Sequence, residues 1–331
     1  MLLAEKIPQI YHHLLPDFLE IEIPDEKLAQ CSTCNLCQST KSPYIDTKCC
    51  NYHPIQANYL IGGILNDSTR SMQFGREQIR LQIKSKKGVS PFGIIPDESY
   101  QANQSFILSQ DKVFNSREDL NSQRCPYYDD GNCSVWAYRE HLCVTYFCSS
   151  SGGKAGQSFW NTLNDLLISV EQTLSRYATD RSDLKFSKDL KLSADLNSET
   201  GASGEIWGKW IDQEEAYYKL CHQLILKLSA EHFKSLLGSY FEKLEQLKLE
   251  AKRFSIGVFP DFLCLHPNIK IQNQKQGDDV VLSLDKNEMK ISSVLLLIVS
   301  QFNGDKNTTE IFYQAYKVLF NLNDTVQELI E

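Results

Sequence analysis

With 331 residues, 42% of them hydrophobic and 23% charged, the chain has the composition of an ordinary globular protein of two or three domains, not of a disordered one. A net charge of −8 offers no basic face for nucleic acid, and the one basic run, KSKK at 84–87, reads as a solvated turn. No stretch approaches the roughly 18 apolar residues of a membrane span, the best candidate being 294–299.

The opening, MLLAEKIPQIYHHLLPDF, has no basic n-region and no uninterrupted apolar h-region, and Pro8 lies where one would be. The expected setting is the cytoplasm. Residues 1–30, broken by Pro8, Pro16 and Pro24, predict a helical turn or two. NYLIGGIL at 58–65 predicts a short helix or buried segment, and 66–124, punctuated by Gly88, Pro91, Gly93 and Pro96, predicts irregular structure. SSSGGKAG after Cys148 reads as a flexible connector. It is not a phosphate loop, because Cys148 stands at the position of the first glycine and Ala155 at that of the Ser/Thr.

An amphipathic helix follows, with Phe159, Trp160, Leu163, Leu166, Leu167, Val170, Leu174 and Tyr177 on one stripe. The stretch 181–204 has little periodicity and predicts a loop. The run 206–253 predicts one long helical region whose apolar face includes Trp207, Trp210, Tyr217, Cys221, Leu236 and Tyr240. Near the C-terminus, Ile269 with Ile271 and then 280–284 predict two strands joined by a polar turn. A helix over 292–302, stopped at Asn303-Gly304, and another over 309–320, capped by Thr308, should follow. The expected fold class is α+β, in three parts. These are a loop-rich cysteine-cluster metal domain (1–150), a helical region (151–258) and a small winged-helix-like module (259–331).

Nine of the eleven cysteines fall in two clusters. The first is Cys31-x2-Cys34-x2-Cys37 followed by Cys49-Cys50. The second is Cys125, Cys133, Cys143 and Cys148. Thiolates two residues apart can chelate one metal from a single turn of backbone. In a reducing compartment such clusters suit metal ligation better than disulfides, with thiol redox chemistry as a further alternative. Four thiolates serve zinc or a 4Fe–4S cluster equally, so ligand type alone does not choose between them. Nearby cations must offset the excess negative charge, and Arg124, Arg139 and His141 lie close enough in sequence. His141 and His53 read as ordinary or supporting histidines before ligands. Cys221 and Cys264 read as small buried hydrophobes. Asp129-Asp130 reads as a turn leading to Gly131, and Trp207 and Trp210 as core.

The string CPYYDDGNCSVWAYREHLCVTYFC, through Cys125-Pro126, Gly131-Asn132-Cys133, Trp136, Tyr138-Arg139, Cys143 and Cys148, resembles the second half of the YkgJ-type zinc- or iron-chelating CxxCxxCC family. The first cluster departs from that pattern, because Gln38 follows Cys37 and the doublet is displaced to Cys49-Cys50. The resemblance covers about residues 31–150 and implies a metal-chelating domain. The last seventy residues are loosely similar to PqqD-like winged-helix modules, which implies a protein or peptide partner. Flagellin lysine N-methylases carry a similar cysteine-rich domain, so the alternative to a structural metal is a protein-modifying enzyme or an iron–sulfur redox protein. No glycine-rich strand-turn-helix for S-adenosylmethionine is evident. The chain itself does not decide whether it is an enzyme.

Overall fold

The computed structural model describes residues 1–26, 50, 52–97, 99–102, 124–147, 150–184, 204–257, 262–264, 269–273, 279–284, 287–301, 303–307 and 311. Helices combine with small antiparallel sheets, an α+β arrangement, and the chain divides into two units, Met1–Gly257 and Val258–Glu331.

The proline-broken N-terminal lead makes two 3-10 turns, Leu3–Glu5 and Gln9–Tyr11, and a short helix α1 (Pro16–Leu19). Proline at the start of α1 lacks an N–H that would have no helical partner anyway. Leu3, Tyr11, Leu14, Leu15 and Phe18 of this lead are all buried. Strand β1 (Gln56–Ala57) leads into α2 (Asn58–Asn66), which is buried along its whole length from Asn58 to Leu65. A helix apolar all round belongs inside a protein.

Residues 66–124 are less irregular than expected, because a 13-residue helix, α3 (Gln73–Ser85), lies within them. Only Gly75 and Ile79 of α3 are buried, so it leaves almost no apolar stripe in the sequence. Lys86 ends it in a left-handed conformation (φ 58°) and ion-pairs with Asp212 (3.0 Å) and Glu214. The KSKK run is therefore a pinned helix end. Strands β2 (Val89–Ser90) and β3 (Gly93–Ile94) join β1 in an antiparallel sheet of order β1-β3-β2. Strands β4 (Tyr128–Asp129) and β5 (Asn132–Cys133) form a hairpin whose two turn residues, Asp130 (φ 38°) and Gly131 (φ 87°), both adopt positive φ. That is what a two-residue hairpin loop demands, and Asp-Gly supplies it.

After α4 (His141–Thr145) comes α5 (Gly153–Arg181), a 29-residue helix. The expected connector is instead built into its start: Gly153 to Gly156 is helical. The Glu26 carboxylate accepts from Ser150 Oγ at 2.6 Å and from the Ser151 N–H at 2.7 Å. The predicted stripe from Phe159 to Leu174 is buried as the periodicity requires.

The single helical run expected over 206–253 is broken. It becomes α6 (Gly204–Trp207), a 3-10 turn (Gly208–Trp210), α7 (Glu214–Leu226), α8 (Ala230–Leu237) and α9 (Tyr240–Gly257). Positive φ at Gly208, Asp212 and Gly238 turns the chain, and Ser229 Oγ accepts from the His232 N–H (3.3 Å) to start α8. Apolar spacing carries on across these breaks, so it conceals them. Leu236, expected on the buried face, is 40% exposed.

Helix α7 packs on α2, and α4 and α9 pack on α5. Trp207 is core, edge-on to Tyr217 and Tyr218 with ring centroids 5.4 and 5.9 Å away. No described helix is long and apolar enough to cross a membrane.

In the second unit, β6 (Phe262–Cys264) pairs with β10 (Asn303–Asn307), while β7 (Lys270–Asn273), β8 (Asp279–Leu284) and β9 (Asn287–Ser292) form an antiparallel meander. β7 and β8 are the two expected strands, and β9 is an addition. Helix α10 (Ser293–Val299) starts where Ser292 Oγ accepts the Leu295 N–H at 3.1 Å, and it is shorter than expected. Asn303-Gly304 opens a strand instead of merely stopping a helix. The helix expected over 309–320 lies outside the described residues, apart from Ile311.

Candidate metal centre

Short, thinly supported elements carry the described cysteines of the two clusters. Cys125 precedes the β4–β5 hairpin, Cys133 ends it, Cys143 sits in α4, and Cys50 lies ahead of β1. The hairpin is locked by the Tyr127 carbonyl, which accepts from the Ser134 N–H (3.0 Å) and hydroxyl (2.7 Å). The Cys125 N–H donates to the Cys50 carbonyl at 2.6 Å, a direct link between the two cysteine regions.

These thiols and the charges around them perturb one another's ionisation. Burial raises the pKa of Cys125 to about 12, and Cys133, Cys50 and Glu140 add to the rise. Burial raises Cys133 too, opposed by the Val135 backbone and by the charge of Arg139. Cys143 is pushed well above its ordinary value, first by burial, then by Glu140, Cys125 and Cys133.

Arg139 is the cation of this neighbourhood. Burial depresses its pKa, while Cys133 and Cys143 favour its charge. Its guanidinium donates to the carbonyls of Trp136 (2.8 Å) and Lys6 (2.7 Å) and lies 3.9 Å over the Trp136 ring.

The expected ligands Cys31, Cys34, Cys37, Cys49 and Cys148 lie outside the described residues. Of the predicted set, Cys50, Cys125, Cys133 and Cys143 are described; the Cys125 N–H bonds the Cys50 carbonyl, and no three of these thiols lie within 4.8 Å of one another. Cys221 is a fully buried thiol in α7, its pKa raised by burial to about 12. Cys221→Ala should leave metal content unchanged and cost about 1 kcal/mol of stability. Metal analysis beside a denaturant titration checks both, and a loss of metal in this variant would make Cys221 a ligand.

The two histidines separate. The His53 ring stacks on Tyr100 (centroids 3.7 Å apart), and its Nε2 donates to the Arg124 carbonyl at 2.8 Å. Burial lowers its pKa, so it is a packed, neutral, structural side chain. His141 is different. Its Nδ1 lies 2.7 Å from Glu171 Oε2 and 3.0 Å from Glu140 Oε2. Burial opposes its charge, but the hydrogen bond and charge of Glu171, with the charge of Glu140, outweigh burial and raise its pKa. Burial likewise raises Glu171, and His141 partly restores its ionisation.

Glu140 caps α4, its Oε2 accepting from the Leu142 N–H (2.8 Å) and its Oε1 from the Cys143 N–H (3.0 Å). Glu171 Oε1 accepts from the Tyr11 hydroxyl at 3.3 Å, and the Tyr11 and Tyr59 hydroxyls are 2.9 Å apart. Among the described residues, Glu140, His141 and Glu171 are the one trio of ligand-type groups whose donor atoms all lie within 4.8 Å of one another.

Sequence reasoning did not single out Glu140, Glu171, Tyr11 or Tyr59. A signal existed for Glu171, which interrupts the buried stripe of α5 between Val170 and Leu174. A carboxylate in that position requires a partner. No family model matches the chain, and neither a curated protein nor a solved structure does.

Proposed function

We propose that this is a metal-chelating protein in which cysteines of both clusters hold zinc or an iron–sulfur cluster, with the metal serving first as a structural element. The observation that supports this reading is the hydrogen bond from the Cys125 N–H to the Cys50 carbonyl, which links the two cysteine regions from segments far apart in sequence. Thiols whose pKa their surroundings hold up stay protonated until a cation takes them up as thiolates, so these donors suit a thiophilic metal. Arg139 stands ready to offset the resulting charge. Cys31, Cys34, Cys37, Cys49 and Cys148 would complete the ligands.

The likeness of 125–148 to the zinc- or iron-chelating family supports the same reading. When bound, zinc would cross-link the loops, and a 4Fe–4S cluster would in addition carry an electron. The strand meander β7–β8–β9 followed by the Ser292-capped α10 supports a winged-helix-like module for a protein or peptide partner.

The test is an ultraviolet–visible spectrum with metal analysis of anaerobically purified protein. Bound zinc in a colourless protein supports the structural reading. A brown protein with broad visible absorption supports the redox alternative. Protein without thiolate-bound metal, whose thiols react freely with alkylating reagent, sinks both.

A further inference from the structure

We propose that Glu140, His141 and Glu171 form a second cation site, rich in oxygen and nitrogen and distinct from the thiols, that takes one divalent transition-metal ion. Both carboxylates are withdrawn from water, with side chains 0% (Glu140) and 3% (Glu171) exposed. Between them stands a single imidazole nitrogen, 2.7 Å from one and 3.0 Å from the other. The Nδ1–H hydrogen-bonds Glu171 Oε2, and its contact with Glu140 Oε2 is an ion-pair approach only. Even a fully charged imidazolium offsets one of the two negative charges.

No lysine or arginine among the described residues pairs with either carboxylate. The nearest cation in sequence, Arg139, is turned towards the carbonyls of Trp136 and Lys6 and towards the thiols. The remaining donors are neutral: the Leu142 and Cys143 N–H groups on Glu140, and the Tyr11 hydroxyl on Glu171. Two carboxylates withdrawn from water with one imidazole between them are costly to ionise, and a divalent ion set between them removes that cost.

The geometry suits such an ion. Three donor atoms from two helices converge within 4.8 Å. Binding would release the Nδ1 proton and replace the N–H···O bond to Glu171 by three metal bonds. A carboxylate–imidazole–carboxylate set selects metals such as iron, manganese, cobalt or zinc over the softer copper(I) that thiolates prefer. His141, with its side chain 19% exposed, is the edge open to solvent, so water or a bound molecule could fill the remaining positions.

Through the Cys143 N–H, Glu140 ties this site to the turn that bears a thiol ligand. The two sites would therefore be neighbours of different chemical taste. The assignment stands on the carboxylates and the imidazole and does not depend on the thiols binding metal.

Cobalt(II) tests it on the full chain purified anaerobically, with bound metal measured by equilibrium dialysis and absorption recorded alongside. Thiolate ligation gives an intense sulfur-to-metal band in the near ultraviolet. Nitrogen and oxygen ligation adds bound cobalt without adding to that band. The natural protein should bind one equivalent beyond any sulfur-ligated metal. Glu171→Gln, which keeps the size of the side chain, should weaken that equivalent at least on the order of tenfold and leave the sulfur band unchanged. If Glu171→Gln loses the circular dichroism of the natural protein, His141→Asn at the exposed edge takes its place, with the same expected loss. Equal cobalt binding in natural and variant proteins, or no equivalent outside the sulfur band, overturns the site. Absence of the sulfur band and of any iron–sulfur absorption from both proteins is instead the failure of the thiolate reading.

Discussion

Gly62→Ala is expected to destabilise the first unit by about 3 kcal/mol, the upper part of the usual range for overpacking a core. The reason is the closeness of α2 and α7. A β-carbon at position 62 would overlap the backbone carbonyl of Tyr218 and come within 2.8 Å of His222 Cβ. A backbone carbonyl inside a helix cannot rotate away as a side-chain tip can, so the two helices would have to separate. That separation would also be felt at the cluster of Glu140, His141 and Glu171. Tyr59 lies on α2 and reaches Tyr11, which in turn donates to Glu171. Urea denaturation of natural and variant proteins measures the effect as a lower midpoint. A change below about 0.5 kcal/mol would mean that the helices are not held at this distance.

Removing the metal is expected to have the largest consequence. Around the described thiols of 124–147 the elements are short and the buried apolar side chains few, chiefly Tyr127, Val135 and Val144. Four thiolates on one metal can supply on the order of 10 kcal/mol towards folding in favourable cases. Treatment with a strong chelator, or Cys34→Ser, should therefore open 31–50 and 124–148 to protease and leave α2 and the helices after Phe159 largely formed. Limited proteolysis with mapping of the cut sites, and circular dichroism for the residual helix, would show this. An unchanged cleavage pattern after complete metal removal would falsify a folding role and favour an exposed reactive centre.

The sequence by itself settled what depends on local pattern. The stripe from Phe159 to Leu174 announced α5, since spacing of three and four residues leaves few other ways to bury seven large side chains. NYLIGGIL announced a short helix or buried segment, and Asp129-Asp130 before Gly131 announced a turn, which the structure makes the β4–β5 hairpin loop. The clustering of cysteines singled out the region of the candidate site.

Other features were decided by tertiary structure. Helix α3 escaped notice because it buries only Gly75 and Ile79. The breaks at Gly208, Asp212 and Gly238 were hidden by an apolar face that continues across them. Above all, the pairing of Glu140 and Glu171 across His141 joins a helix cap to the middle of a helix thirty residues away. A carboxylate is written the same way in sequence whether it faces water or the interior. Only the packing of α4 on α5 withdraws these two from solvent, and withdrawal is what turns two ordinary glutamates into a strong demand for positive charge.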